Sequence, residues 1–254
     1  MNINNYLKRI NISGIIKPDI ATLRILHRNH LFNIPFENLD IHLNIKIRLE
    51  LQYLEEKIIN GYRGGYCYEL NGLFFHLLKD LGYNVKMISA RVSNNFGGFG
   101  EEFDHLAIVA ESDSLWLADV GFGDSFIEPL ELKLNEVQKD PNGFYRISEV
   151  KGTDYLSLQK SSDGLIFKDE YIFTLKEREW NEFEEMNNYH QTSPDSPFTQ
   201  KKLCTIAKEN GRITLSDHKL IVTEGDDKKI TELKDETEFS EKLIGLFGID
   251  LHRI

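Results

Sequence analysis

The sequence predicts an α+β protein: helices gathered at the start, antiparallel strands in the middle, and mixed helix and strand at the end. Three observations carry that expectation. Leu70, Leu73, Phe74, Leu77, Leu78 and Leu81 recur at helical spacing and stop at Gly82, where a helix commonly ends. After Gly82 the texture changes to short apolar or alternating runs, "VKMISARV", "HLAIVAE", "LWLADVGF", "YRISEV", "YLSLQ" and "LIFKDEYIFTL". They are cut by Gly, Asn and Asp, the pattern of an antiparallel sheet or small barrel over roughly 85–175. From "WNEFEEMNNYHQTSPDSPF" onward the two signals mix, and "KITELKDETEFSEKLIGLFGI" reads as a short strand followed by a helix ending near Gly248.

The helical part divides further. "IATLRILHRNHLF" repeats Leu23, Leu26 and Leu31 near helical spacing before Pro35 interrupts it, and "LQYLEEKIIN" is a second amphipathic stretch closed by Gly61. No Pro/Gly/Ser-rich linker separates the parts, so divisions near 85 and 188 are soft. With 254 residues, 41% hydrophobic and 28% charged, the chain has ample material for a core. A net charge of −11 argues against a nucleic-acid backbone or an anionic membrane surface as partner. An anionic cofactor would need a local basic or helix-N-terminal site. Cys67 and Cys204 are too few and too far apart for a disulfide framework. The opening "MNINNYLKRINISG" lacks the pattern of a signal peptide, and no apolar run approaches the ~20 residues of a membrane span. A cytoplasmic protein with reduced thiols is expected.

The chemistry centres on "YRGGYCYELN". Extending the third helix backwards places Cys67 on its buried face, three residues before Leu70, with Asn71 one turn further in. A first-turn position offers unpaired N–H groups and a favourable dipole to a thiolate. Gly64 and Gly65 clear the approach and permit unusual backbone angles, Arg63 adds a positive charge, and Glu69 can complement the dipole or pair with Arg63. Each effect pushes the thiol toward thiolate. A plain core cysteine at a helix start is the competing reading, and Cys204, without these neighbours, is read as structural.

A cysteine nucleophile needs a base and an orienter. Of the eight histidines, His27, His30, His76, His190, His218 and His252 lie in polar or helical contexts without an identifiable facing acid, and His42 is a weaker candidate. His105 opens the apolar strand "HLAIVA", and Asp119 lies inside the next one, where an aspartate demands a partner. If residues 111–113 form a three-residue loop, Ala110 pairs with Ser114, Ala107 with Leu117 and His105 with Asp119. A two- or four-residue loop would put Asp119 on the other face. Asp104 and Asp124 are rival acids at strand ends or in loops.

Together "RGGYCYELNGLF", "HLAIV…WLADVGFG", "YIFTL…EFEEMNNYHQTSPDSPF", "YLKRI" and "IPFENL" resemble the arylamine N-acetyltransferases, from Tyr6 to "LFGIDL", in the family's order. The resemblance implies a helical first domain (1–85), a central antiparallel β-barrel (86–188) and a C-terminal α/β lid (189–254) around a cysteine-proteinase-like core. It implies a Cys67, His105 and Asp119 triad, acetyl-CoA as acyl donor, an arylamine or arylhydrazine acceptor, ping-pong transfer through a Cys67 thioester, and no metal. Arg9 and Glu37 match a family pair tying the first helix to the "PFENL" turn. Phe122, Gly123 and Ser196 are the candidate cofactor contacts. Turn packing is the alternative for Phe122, and helix capping for Ser193 and Ser196. "NNFGGFGEEF", before His105, is the least family-like stretch. A papain- or transglutaminase-like hydrolase, an amide synthase of the same family using another acyl donor, and a non-catalytic binding protein are the other readings.

Overall fold

A computed structural model describes residues 1–14, 16–94 and 97–251; Asn95 and Phe96 of the unfamiliar stretch, and His252, lie outside them. The chain opens with α1 (Ile3–Arg9) and α2 (Ile20–Asn33), each started by a side-chain cap: Asn2 accepts from Asn5 N–H and Asp19 from Thr22 N–H. Helix α2 stops because Ile34 precedes Pro35 and takes an extended conformation. Short β1 (Phe36–Glu37) and α3 (Leu39–His42) follow, then α4 (Leu51–Leu54), which runs into a π-turn, Glu55–Asn60, ending at Gly61. Next comes α5 (Cys67–Asp80), buried on nearly all sides through its first eight residues. A helix apolar all round is a core helix, and α5 is the post on which the rest is hung.

Nine-residue β2 (Asn84–Val92) is followed by β3 (His105–Glu111), β4 (Leu115–Ala118), β5 (Leu130–Glu131), β6 (Val137–Asp140), β7 (Gly143–Glu149), β8 (Leu156–Ser161) and β9 (Lys168–Phe173). They form one eight-stranded antiparallel sheet, ordered β5-β4-β3-β2-β9-β8-β7-β6. The sheet curls into a nearly closed barrel. Its end strands are stitched by a side chain: Gln138 accepts from Glu131 N–H at 2.9 Å and donates to Glu131 O at 2.8 Å.

Strand β3 reads as a continuous apolar run because both its faces are buried. Ala107 and Val109, with Leu117 of β4, point into the barrel beside Tyr145, Tyr171 and Phe173. Leu106, Ile108 and Ala110 point the other way, onto Leu70, Leu73 and Phe74 of α5. After a 3-10 turn, Trp180–Phe183, come α6 (Glu184–Thr192) and α7 (Pro197–Gln200). A meander of β10 (Leu203–Lys208), β11 (Gly211–Ser216), β12 (Lys219–Glu224) and β13 (Asp227–Glu232) precedes α8 (Glu236–Phe247), which ends at left-handed Gly248. Helix α8 buries Phe239, Leu243 and Phe247 against Cys204, Ile206 and Leu215 of this second sheet. Strand β1 joins the same sheet, pairing Phe36 with Thr205 and Glu37 with Cys204, so the last part of the chain is fastened to the first. Cys204 is buried there as a structural residue.

Arg9 does not pair with Glu37. Its guanidinium donates to the carbonyls of Ile58 (3.2 Å), Asn33 (2.5 Å) and Arg63 (3.4 Å), and so ties α1 to the end of α2 through backbone oxygens.

Trp180 is seated against α5 at Gly72, where an added Cβ would lie 2.3 Å from the indole ring. Alanine is the better helix former by ~1 kcal/mol, but overpacking a rigid core costs about 1–3 kcal/mol. Gly72→Ala therefore lowers the urea midpoint, and a variant more stable than the native chain would contradict this packing.

Candidate active site

Cys67 is the first residue of α5 and lies on the wall of an open cleft of about 1220 Å³. His105, Gly121, Phe122 and Gly123 line the same cleft, together with Tyr189, His190, Asp195, Pro197 and Phe198. Helix α5 starts at Cys67 because Tyr66 is extended and Glu69, three residues into the turn, accepts from Tyr66 N–H at 3.1 Å. Gly64 and Gly65 serve close packing rather than unusual backbone angles, since neither has a positive φ. A Cβ on Gly64 would sit 2.0 Å from Pro35 O, and one on Gly65 2.8 Å from the Glu69 side chain.

His105 is the first residue of β3, and its Nε2 lies 2.7 Å from Asp119 Oδ2. The two do meet, but not as a directly opposed pair. The ladder runs Ile108 with Ala118, Val109 with Leu117, Ala110 with Trp116 and Glu111 with Leu115. The loop has the expected three residues but lies at 112–114, closed by Ser112 N–H donating to Ser114 O at 2.9 Å. That displaces the register by two residues and so preserves the face. Asp119 falls just beyond the last ladder pair and reaches His105 diagonally.

The Asp119 carboxylate is buried and fully partnered. On Oδ2 it accepts from Tyr171 O–H (3.0 Å) beside His105, and on Oδ1 from Asn71 Nδ2 (2.8 Å) and Gly121 N–H (3.0 Å). Burial pushes this carboxyl up, but His105 and the donors of Asn71 and Gly121 outweigh it and hold the group below the usual carboxylate range. Asn71 also donates to Leu106 O (2.6 Å) and accepts from Val120 N–H (2.8 Å), clasping both strands to α5. Gly121 fits beneath the cysteine turn: a Cβ there would lie 2.8 Å from Cys67 Cα and 2.7 Å from Asn71 Nδ2. Phe122 meets the His105 ring edge-on at 5.2 Å.

Burial pushes the Cys67 thiol well up, with the charges of Asp104 and Asp119 adding to it and the N–H groups of Tyr68 and Leu106 opposing it. The environment without His105 thus favours the thiol, contrary to the expectation that every neighbour favours thiolate. Arg63 does not lower it, because its charge is engaged elsewhere. Its Nη2 is 2.7 Å from both Glu37 Oε1 and Asp40 Oδ1, while Lys57 Nζ lies 2.8 Å from Asp40 Oδ2 and 2.7 Å from Glu69 Oε1. This buried ionic cluster braces the turn that presents Cys67.

The rival acids serve other partners. Asp104 Oδ1 is 3.1 Å from His190 Nε2, and Asp124 lies 3.5 Å from Lys160 and 3.3 Å from Arg212. Gly123 takes a left-handed φ of +88 beside Phe36. Ser196 is buried; its hydroxyl caps α7 through Phe198 N–H (3.3 Å) and donates to His190 O (3.1 Å), while its neighbours Asp195 and Pro197 line the cleft. Ser193 accepts from Asp195 N–H through its own hydroxyl at 3.2 Å. Three residues in contact with the site are not marked by the sequence: Tyr171, within a strand, which donates to Asp119; His190, on α6, which lines the cleft; and His27, on α2, whose Nε2 accepts from Asp119 N–H at 3.0 Å. The Asp119 partners His27 and Tyr171 lie 92 and 52 residues from it in sequence. Among the described residues, no group of three or more His, Cys, Asp or Glu could hold a metal ion, and no helix is long and apolar enough to cross a membrane.

A lone cysteine at the head of a buried helix, sharing a cleft with a buried His–Asp pair on a curled sheet, is the arrangement of an acyl-transfer enzyme. The family model described as N-acetyltransferase matches residues 19–254. The arylamine N-acetyltransferase of Escherichia coli (strain K12) is 36% identical over 217 residues, which is 84% of this chain and 76% of that protein. The structure of the Mycobacterium marinum arylamine N-acetyltransferase in complex with CoA superposes with a TM-score of 0.91 at 28% identity, covering 99% of this chain and 94% of that one. A Bacillus cereus arylamine N-acetyltransferase, described with a Cys-His-Glu catalytic triad, matches with a TM-score of 0.90 at 26% identity, covering 99% and 100%. The chain belongs to the arylamine N-acetyltransferase family.

Glu69 carries a pH signature. Burial pushes its carboxyl up to about 7, with Lys57 opposing and Asp40 and Glu37 adding. The folded chain then keeps a proton that the unfolded chain loses near ~4.3. This contribution to stability is fully present below the unfolded value and is lost as pH rises through about 7. Urea titrations of the native chain and Glu69→Gln should show the native chain losing stability relative to the variant between pH 5 and 8. Parallel pH profiles would contradict it.

Proposed function

We propose that this chain transfers an acetyl group from acetyl-CoA to arylamines or arylhydrazines in two half-reactions, with Cys67, His105 and Asp119 as the triad. The observation that carries the reading is the buried His105–Asp119 pair, 2.7 Å apart, whose His105 lines the cleft that Cys67 also lines. His105 takes the thiol proton, and Asp119 fixes the imidazole and stabilises its charged form. The Cys67 sulfur attacks the acetyl carbonyl carbon, the bond to the coenzyme A sulfur breaks, and coenzyme A leaves carrying the proton from His105. The amine nitrogen then attacks the acetyl-enzyme, gives its proton to His105, and releases Cys67 as leaving group.

The oxyanion of each addition would meet the N–H groups of Cys67 and Tyr68, which precede the first backbone bond of the α5 turn, Glu69 N–H to Tyr66 O. Phe122 and Gly123 serve as walls for the acyl group and the pantetheine arm, and Ser196 as the cap that shapes the facing wall. No Lys or Arg is among the described lining residues; Arg212 and Lys160, beside the lining residue Asp124, and Arg178, beside Glu102 and Glu182, are cations that a polyanionic donor would meet at the rim. A cytoplasmic setting, where coenzyme A and reduced thiols coexist, belongs to the same reading. The acid of the triad is Asp here, whereas the Bacillus cereus relative is described with Glu.

Intact-mass measurement after mixing the protein with acetyl-CoA and no amine tests this. One acetyl group should appear on the native chain, not on Cys67→Ser, and should leave when an arylamine is added. A readily alkylated Cys67 that takes no acetyl group would reject acetyl-CoA as donor, and loading only by a longer acyl thioester would indicate an amide synthase.

A further inference from the structure

Asp119 lies past the end of β4, so its buried N–H has no strand partner, and such a group must be satisfied. Its acceptor is Nε2 of His27, on α2 and 92 residues upstream, at 3.0 Å. The other ring nitrogen, Nδ1, lies 2.8 Å from Ile127 O. A backbone N–H can only donate and a carbonyl can only accept, so the two contacts fix the tautomer: hydrogen on Nδ1, a lone pair on Nε2. A protonated ring would set one N–H against another. Packing agrees with this. The imidazole is fully buried, stacked on Phe126 at 5.5 Å and edge-on to Phe74 of α5 at 6.1 Å. The titratable groups facing it are Asp119 and His30.

Resting on the triad reading above, we propose that His27 is a positioning residue: as a neutral imidazole clamped between Ile127 O and Asp119 N–H, it sets where the Asp119 carboxylate meets His105. Burial also pushes His27 down to about 4, with the Ile127 and Asp119 contacts opposing, so the ring stays neutral across the working range. The clamp is needed because Asp119 sits two residues short of the pairing that would have placed it opposite His105. Its position is therefore set by contacts outside the ladder. A misplacement of about 1 Å in such a group can cost ~10²-fold in rate.

His27→Gln and His27→Asn separate this role from packing. A Gln amide oxygen reaches the position of Nε2 and can accept from Asp119, whereas the shorter Asn reaches only the position of Nδ1 and keeps only Ile127. Both remove the stacked ring. Acetyl-enzyme formation and the pH profile of kcat/KM for arylamine acetylation should be measured beside the urea midpoint. The Asn variant should lose about 10- to 10²-fold in rate, with the acidic limb of its profile moved to higher pH. The Gln variant should recover most of both at a similar midpoint. Equal losses in the two variants, or native rates in both, would overturn the proposal and leave the triad standing. A native chain that takes no acetyl group would overturn both. In the native protein, nitrogen NMR of the ring should show Nδ1 protonated and Nε2 bare from pH 5 to 8. The opposite tautomer, or titration in that range, would overturn the proposal without any variant.

Discussion

Asp119 holds a negative charge where water does not reach it, and several kcal/mol stand against any such charge that is left uncompensated. The compensation comes from four donors on separate pieces of chain: His105 on β3, Tyr171 on β9, Asn71 on α5, and the N–H of Gly121 in the following turn. Withdrawing any one of these elements strands the carboxylate. A single buried charge thus couples the helix that carries Cys67 to the sheet that carries His105. The continuous burial of β3 on both faces follows from the same arrangement, since the barrel core lies on one side and α5 on the other.

In the proposed mechanism the same carboxylate governs the nucleophile. Helix start, backbone N–H groups and a nearby arginine would be enough for an exposed cysteine, but Cys67 is buried and its thiol is pushed up. Arg63 offers no help, being locked between Glu37 and Asp40. The route to a thiolate that remains is proton transfer to His105, and the resulting imidazolium is stabilised by Asp119. In the proposed mechanism, reactivity is made by a proton transfer within the site, not inherited from the helix terminus. The ionic cluster of Glu37, Asp40, Lys57, Arg63 and Glu69 has a different task, holding the glycine-rich turn in one shape against Pro35 and α5.

Much of this was legible in the sequence, for physical reasons. Helix α5 and the inward-facing Cys67 and Asn71 follow from a 3.6-residue period unbroken to Gly82. The meeting of His105 with Asp119 depended on strand parity, which survives a shift of two residues, and so the pair was found although the register was not. Exact register depends on where a loop closes, and Ser112 and Ser114 gave no signal strong enough to place it. The partners of Asp119 that escaped notice, His27 and Tyr171, lie 92 and 52 residues away, beyond the reach of any local pattern. Of the two roles expected for Gly64 and Gly65, unusual backbone angles are absent and the lack of a side chain is what the packing uses, because backbone freedom and close approach leave the same letter in a sequence.

In the proposed mechanism Asp119, acting through His105, makes Cys67 a thiolate. The most direct test is the pH dependence of Cys67 alkylation by iodoacetamide, in the native chain and in Asp119→Asn, with folding checked by near-UV circular dichroism. The native thiol should react as a thiolate well below the ordinary thiol range near ~8.5, and the asparagine variant only at or above it. Superimposable profiles from two folded proteins would contradict it.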